Sequence, residues 1–350
     1  MRRVSGQPKR AIAWELQLIG WIPLPTFAAG AVVSFVIGVG LLLQHWAIGE
    51  STYAESGRAT VDDLVVGLIV AALIGYTMAA GRYLQIAILG DVYEAAGLDR
   101  ETVWQLDEIT VFGTSISVLR RSRLAGTVGA LVGLWMLHSV GTPIFGEGGQ
   151  LGELESLAWL SLAPLLWFLL ARAAFNTVLG STERSVSQPH HPKPHPIDLL
   201  DLRSVYARGR TGLRLALVWI VGSTIASPLV FDPALTIPLL PFLLAGVGVA
   251  VAALLLPSRR LHRMIQDEKR RELDRLRAEL HRVRDDMLAG RSNEDGRLAD
   301  LLGYRTYIEQ IRDWPFDNPT VLRFLLYLLI PIGSWLGGAV VERMVSNLLD

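Results

Sequence analysis

The chain has 350 residues, of which 51% are hydrophobic and only 19% are charged. Because soluble domains carry about 25% charged residues, this composition is typical of a membrane protein. Cysteine is absent, which excludes disulfides, thiolate metal sites and cysteine nucleophiles. The 33 basic groups balance the 33 acidic ones and are almost all arginines, since lysine occurs only at positions 9, 193 and 269. That arginine bias favours a GC-rich prokaryotic source.

Seven apolar stretches are each long enough to cross a bilayer as a helix, which takes about 20 residues. They predict an all-α, polytopic helical membrane protein with seven transmembrane helices, at 21–45, 62–82, 124–146, 157–179, 212–231, 234–256 and 320–341. The first stretch is too long for the core of a cleaved signal peptide, so we expect a retained signal anchor. The fifth and sixth are separated only by Asp232 and Pro233 and should form a tight helical hairpin.

Arginine and lysine concentrate in alternate segments between the apolar stretches. The basic segments are the N-terminus 1–20, the loops 83–123 and 180–211, and the segment 257–319. The intervening loops, 46–61 and 147–156, hold Arg58 and no other basic residue. Because positive loops stay on the cytoplasmic side, we expect a multi-pass protein of the cell membrane with a cytoplasmic N-terminus. The six-helix region 21–256 is then followed by a cytoplasmic domain, and residues 320–350 form the seventh helix with an extracytoplasmic C-terminus.

The cytoplasmic segment 257–319 predicts a charged helical hairpin before the last span. Its first helix carries a short coiled-coil seam in which apolar residues step by three and four: Leu273, Leu276, Leu280, Val283 and Met287. A turn at 291–297 separates it from a second amphipathic helix. Residues 257–291 hold eleven basic and seven acidic groups, an interleaving that argues against nucleic-acid binding. The hairpin either associates with itself or recruits a partner.

Polar groups within the apolar stretches are the candidates for a pore or polar path, because a charge at mid-membrane costs at least ~2.5 kcal/mol unless it is paired. These candidates are Ser223, Thr224, Ser227, Asn176, Thr177, Arg172 and His138. Each has a structural alternative: hydroxyl groups can bond to their own helix, Arg172 can snorkel or pair, and His138 can be a packing residue. The structural alternative is favoured for both Arg172 and His138.

Small residues recur four apart and allow helix backbones to approach closely, either within the chain or between subunits. The clearest pairs are Gly129 with Gly133 and Gly333 with Gly337. A basic rim (Arg120, Arg121, Arg123, Arg259, Arg260 and Arg263) is first an orientation signal. It is also a candidate site for anionic lipid headgroups, since each charge near the surface contributes about 1 kcal/mol.

No motif points to catalysis, to a metal or to a cofactor, so we expect none and expect the protein not to be an enzyme. His190, His191 and His195 carry imidazoles that bind metals, but the prolines between them indicate an extended linker. Two functions remain in near balance. The first is a homo-oligomeric, channel-like conduit for ions or small solutes, favoured by hydroxyl-lined helices and few buried charges. The alternative is a non-transporting scaffold or sensor that acts through 257–319. A secondary transporter would show internal repeats and buried carboxylates, which the sequence does not display.

Overall fold

A computed structural model of the protein consists of helices and one short pair of strands. It describes residues 10–48, 60–95, 98–99, 106, 108–139, 154–178, 199–200, 203–231, 233–289 and 295–314, together with 322, 324–327, 329 and 333. The elements are β1 (Arg10–Ala11), α1 (Trp14–Trp21), α2 (Thr26–Ile48), α3 (Thr60–Ala95), α4 (Glu108–Phe112), β2 (Thr114–Ser115), α5 (Ile116–Ser139), α6 (Leu154–Val178), α7 (Arg203–Ala226), a 3-10 helix (Ser227–Phe231), α8 (Pro233–Leu288) and α9 (Asp295–Gln310). The all-α prediction is confirmed.

Five described helices are long and apolar enough to cross a bilayer, so the protein is a polytopic helical membrane protein. The candidate spans are Thr26–Trp46, Leu64–Glu94, Ala158–Val178, Gly209–Leu229 and Leu239–Leu288. Helix α5 covers residues 124–139 of the third predicted span and is not among these five. The seventh predicted span, 320–341, lies almost entirely outside the described residues. The described residues therefore contain five candidate spans, and the expected number of seven is not confirmed.

Several helices begin or end far from the predicted span boundaries. The first predicted span, 21–45, corresponds to α2 and begins too early, because Pro23 and Pro25 separate α2 from the short preceding helix α1 and proline interrupts helical hydrogen bonding. Helix α3 continues thirteen residues beyond the predicted end at 82, into the expected loop 83–123. Helix α7 begins at Arg203, inside the expected loop 180–211. Apolarity marks only the part of a helix that crosses lipid, and a helix can continue into water beyond it.

Helix α3 lies at the centre of the bundle. It contacts α1, α2, α4, α6 and α7, while α5 packs mainly on α6 and α8 on α7. The largest apolar core joins α1, α2, α3, α6 and the 3-10 helix through Ile19, Ala29, Val70, Leu73, Ile74, Met78, Leu166, Leu169 and Leu229. Helix α3 has 36 residues and is about 54 Å long. Its C-terminal turns therefore extend past a hydrocarbon core of about 30 Å.

The C-terminal turns of α3 meet several other segments at one end of the bundle, which we call the charged end. It comprises α1, the C-terminal turns of α3 and α6, the N-terminal turns of α5 and α7, and α4. The strands β1 and β2 pair here in antiparallel register, with Arg10 opposite Ser115 and Ala11 opposite Thr114. The N-terminal segment is thus attached to the loop that precedes α5.

Helix α8 is continuous over 56 residues, from the bundle into the segment where the sequence predicted a hairpin. Its length is about 84 Å. Its second half packs on α9 through an apolar cluster that includes Ile265, Leu276, Ile308 and Ile311. Helix α9 begins at Asp295, inside the stretch 291–297 where the sequence predicted a turn.

Candidate functional site

The most deeply buried ion pair of the described residues lies at the charged end and centres on Arg172. Its Nη1 donates to Glu15 Oε2 over 2.8 Å, and its Nε donates to Ser122 Oγ over 2.8 Å. The Arg172 guanidinium also lies 6.0 Å from the centre of the Phe168 ring. Arg172 is 4% exposed, Ser122 1% and Glu15 9%. Three separate elements, α1, α5 and α6, therefore converge on one cation, and a carboxylate compensates its charge.

Glycines on α5 bring Ser122 within reach of Arg172. Gly126, Gly129 and Gly133 are buried on the same face of α5 as Ser122. A methyl group at Gly129 would overlap the Trp167 carbonyl and the Ala171 side chain on α6. The predicted Gly129–Gly133 pair thus makes a close contact within the chain. No described atom lies within 4 Å of a Cβ built on Gly333, and Gly337 lies outside the described residues.

Arg82 is a second cation that fastens α1 to the bundle. Its Nη1 donates to the Leu16 carbonyl over 2.8 Å, and its Nη2 lies 3.5 Å from Glu108 Oε1. The guanidinium carbon stands 4.2 Å from the centre of the Phe112 ring. A side chain at position 20 would collide with the Arg82 guanidinium. Gly20 therefore leaves space for the Arg82 guanidinium where α1 crosses α3, and a larger residue would require Arg82 to move.

Asp91 forms the third buried charged group, between α3 and α7. It is 1% exposed. Arg214 Nη1 donates to Asp91 Oδ2 over 2.8 Å and to the Ala87 carbonyl over 3.1 Å, and Thr211 Oγ1 donates to the same carboxylate over 3.2 Å. Arg210 bridges Asp91 and Glu94. Asp91 was not identified from the sequence because it was assigned to a loop. The apolar run from Ile86 to Leu89, beyond the predicted end of the span, is the signal that could have extended the helix towards it.

The hydroxyl groups proposed for a polar path bond mainly within the helices. Thr224 Oγ1 donates to the Ile220 carbonyl over 2.9 Å and Ser227 Oγ to the Thr224 carbonyl over 2.8 Å. Thr177 Oγ1 donates to the Ala173 carbonyl over 2.8 Å. Such bonds satisfy a hydroxyl in an apolar setting without water.

The remaining path candidates lie in several different surroundings. Ser223 is buried where α7 faces Gly246 of α8. Thr177 also accepts a hydrogen bond from Trp219 Nε1 over 3.1 Å. Asn176 is half-buried in the last turn of α6, and His138 is exposed near the end of α5. Arg172 belongs to the buried ion pair at the charged end.

The residues of the predicted coiled-coil seam pack mostly within the chain. Leu276 and Val283 are buried, while Leu273, Leu280 and Met287 are half-buried. Leu273 and Leu276 join the cluster with Leu301 and Tyr304 of α9. Lys269 Nζ donates to the carbonyls of Glu309 and Ile311 over 2.9 Å each. The Lys269 ammonium group thus caps the C-terminal end of α9, where carbonyl groups have no partner inside the helix.

Five arginines of the basic rim have described side chains, and all five are exposed. Arg120, Arg121 and Arg123 lie exposed at the start of α5, and Arg259 and Arg263 lie exposed on α8. Arg260 belongs to α8, but its side chain is outside the described part. Among the described residues, no group of three or more histidine, cysteine, aspartate or glutamate side chains is placed to hold a metal ion. The linker histidines 190, 191 and 195 lie outside the described residues.

Comparison with protein families, with curated proteins and with solved structures yields no match for this chain.

Proposed function

We propose that this integral membrane protein is a non-transporting scaffold or sensor that acts through the hairpin of α8 and α9. The observation that carries the proposal is the continuity of α8, which runs unbroken from Pro233 to Leu288. Its first part packs on α7 within the bundle and its last part on α9. A rigid helix with packed ends transmits a displacement from one end to the other.

The outer surface of the hairpin supports a role in recruitment. Exposed arginines line α8, and several pair with carboxylates three residues before them: Arg271 with Glu268, Arg275 with Glu272, Arg277 with Asp274 and Arg282 with Glu279. Exposed pairs of this kind contribute only about 0.2–1 kcal/mol to stability. The charged surface is therefore not required for the fold and is free to bind a charged partner.

Orientation in the cell membrane is part of this proposal. The arginine distribution supports a cytoplasmic N-terminus, a cytoplasmic hairpin and an extracytoplasmic C-terminus.

A homo-oligomeric conduit for ions or small solutes is the second candidate. It is favoured by the exposed side of α8 at Ala245 and Gly248, where nothing lies within 4 Å of a Cβ built on Gly248. Small exposed residues let a neighbouring helix approach closely. A conduit would have to form between subunits, because Thr224 and Ser227 bond to their own helix.

Assays of ion flux and of partner recruitment distinguish the conduit from the scaffold or sensor. Purified protein in liposomes should pass no ions under any gradient or voltage. In cells, proximity labelling from the hairpin should give a set of neighbours that is lost when Arg270, Arg275, Arg277 and Arg282 are all replaced by glutamine. Deleting 262–312 should have the same effect.

The variant Arg259→Gln, which removes an exposed charge from α8 outside residues 262–312, is the matched control and should leave the neighbours unchanged. Unchanged labelling in the glutamine variant, with normal thermal unfolding, would contradict the scaffold. Flux that is altered by Ser223→Leu or Thr224→Leu would establish the conduit instead.

A further inference from the structure

The outer face of α5 is apolar and exposed along most of the helix. Leu124, Val128, Leu131 and Trp135 are 67%, 61%, 61% and 58% exposed, and they recur at steps of four, three and four. This spacing places them in one stripe. The opposite face of α5, with its three buried glycines, packs on α6. In a membrane protein, the stripe is a surface that faces lipid.

The stripe ends in arginine at the charged end. Arg120 lies one turn before Leu124 on the same face, and Arg123 lies beside it. Both side chains are exposed, and neither makes an ion pair with another described residue. Arg82 and Arg172, by contrast, each face a glutamate. No described carboxylate therefore pairs with the positive charge of Arg120 and Arg123 where the apolar surface ends.

The distance between the polar residues that flank the stripe is close to the thickness of a membrane. Arg120 and His138, both exposed, are separated by eighteen residues of continuous helix. This corresponds to about 27 Å, close to the hydrocarbon thickness of about 30 Å. The two arginines thus lie at the depth of the phospholipid phosphates when Trp135 and His138 lie at the opposite boundary.

We propose that Arg120, Arg123 and the adjoining Leu124–Val128 surface bind an anionic phospholipid of the phosphatidylglycerol class. The guanidinium groups match the phosphate in charge and in the geometry of their donors, and an acyl chain follows the stripe. A zwitterionic lipid carries the same phosphate together with a cationic group. Tighter binding of the anionic lipid than of the zwitterionic one is therefore the result expected of this site. The inference rests on the membrane location and not on the scaffold or the conduit.

Native mass spectrometry of the full chain, titrated with phosphatidylglycerol and with phosphatidylcholine, tests the site. Wild-type protein should bind phosphatidylglycerol more tightly. Arg120→Gln should raise its Kd about fivefold, and the double variant with Arg123→Gln should lose most of the preference, since each charge contributes about 1 kcal/mol, which is about a fivefold change in Kd. Arg120→Lys with Arg123→Lys should retain most of it, because the charge remains.

The control is Arg270→Gln with Arg277→Gln, which removes the same charge from the distal part of α8. It should leave the Kd unchanged. An equal loss in both double variants, or no loss in the Arg120 and Arg123 variant, would overturn the proposal. Displacement of the lipid by inorganic phosphate at matched ionic strength would also overturn it, because the acyl chain would then contribute nothing. If the double variant unfolds, the single Arg120→Gln decides between the same outcomes.

Discussion

A buried arginine in a membrane protein needs a compensating charge, and Arg172 obtains it from outside the spans. Its partner Glu15 lies 157 residues earlier in the chain, on a short helix. Removing one member of such a pair leaves an uncompensated buried charge and costs about 3–5 kcal/mol. The sequence indicated that Arg172 would pair or snorkel. It contained no local signal that named Glu15 or Ser122, because contacts at that separation depend on the packing of whole helices.

Arg172→Gln and Glu15→Gln should each lower the free energy of unfolding by about 3–5 kcal/mol. The double variant Glu15→Leu with Arg172→Met should lose much less, since it removes both charges together. Reversible unfolding in lipid–detergent mixtures measures these changes, with the exposed Arg259→Gln as control. Equal stability of the single variants and the wild type would show that the pair does not hold α1 in place.

At the scale of a single element, the helix boundaries show which features can be predicted from sequence patterns. The apolar stretches located α2, α6 and the membrane part of α8, because lipid contact requires continuous apolarity. They did not show that α3 continues to Ala95 or that α7 begins at Arg203. Beyond the lipid, a polar helix differs little in composition from a loop. The short helix α1 was missed for a similar reason, since its eight residues are fewer than a span requires.

Gly129→Leu should disrupt the packing of α5 on α6, because a side chain there overlaps the Trp167 carbonyl and Ala171. Gly248→Leu is the matched control, since open space surrounds that position. We expect a clearly lower unfolding temperature for the first variant and little change for the second. The opposite order would mean that the close contact lies at Gly248, between subunits.

At the scale of the whole molecule, the helix ends predicted to be cytoplasmic meet one another. Glu15, Ser122 and Arg172 are in contact, as are Asp91 and Arg214, although they come from two of the predicted basic segments, 1–20 and 83–123, and from two predicted spans. Alternate segments of the chain therefore gather at one end, as a regular up-and-down order of helices requires. The fold class was predictable because lipid sorts residues by polarity, whereas the pairing of helices depends on shape.

The absence of cysteine makes orientation directly measurable. Ala289→Cys, exposed beyond the end of α8, should react with a membrane-impermeant thiol reagent only in inverted vesicles. Ser139→Cys, exposed at the opposite end of α5, should react in intact cells. The wild-type chain, which has no thiol, provides the background. Reaction of Ala289→Cys from outside the cell would reverse the proposed orientation.

The length of α8 turns a small tilt into a large movement. From Pro257 to Leu288 the helix covers about 47 Å, so a tilt of about 10° at the lipid boundary would move its tip by about 8 Å. Transmembrane helices tilt to match the thickness of the bilayer around them. The hairpin would then swing as the membrane thins or thickens, and α9 would travel with it because Lys269 fastens the two helices together.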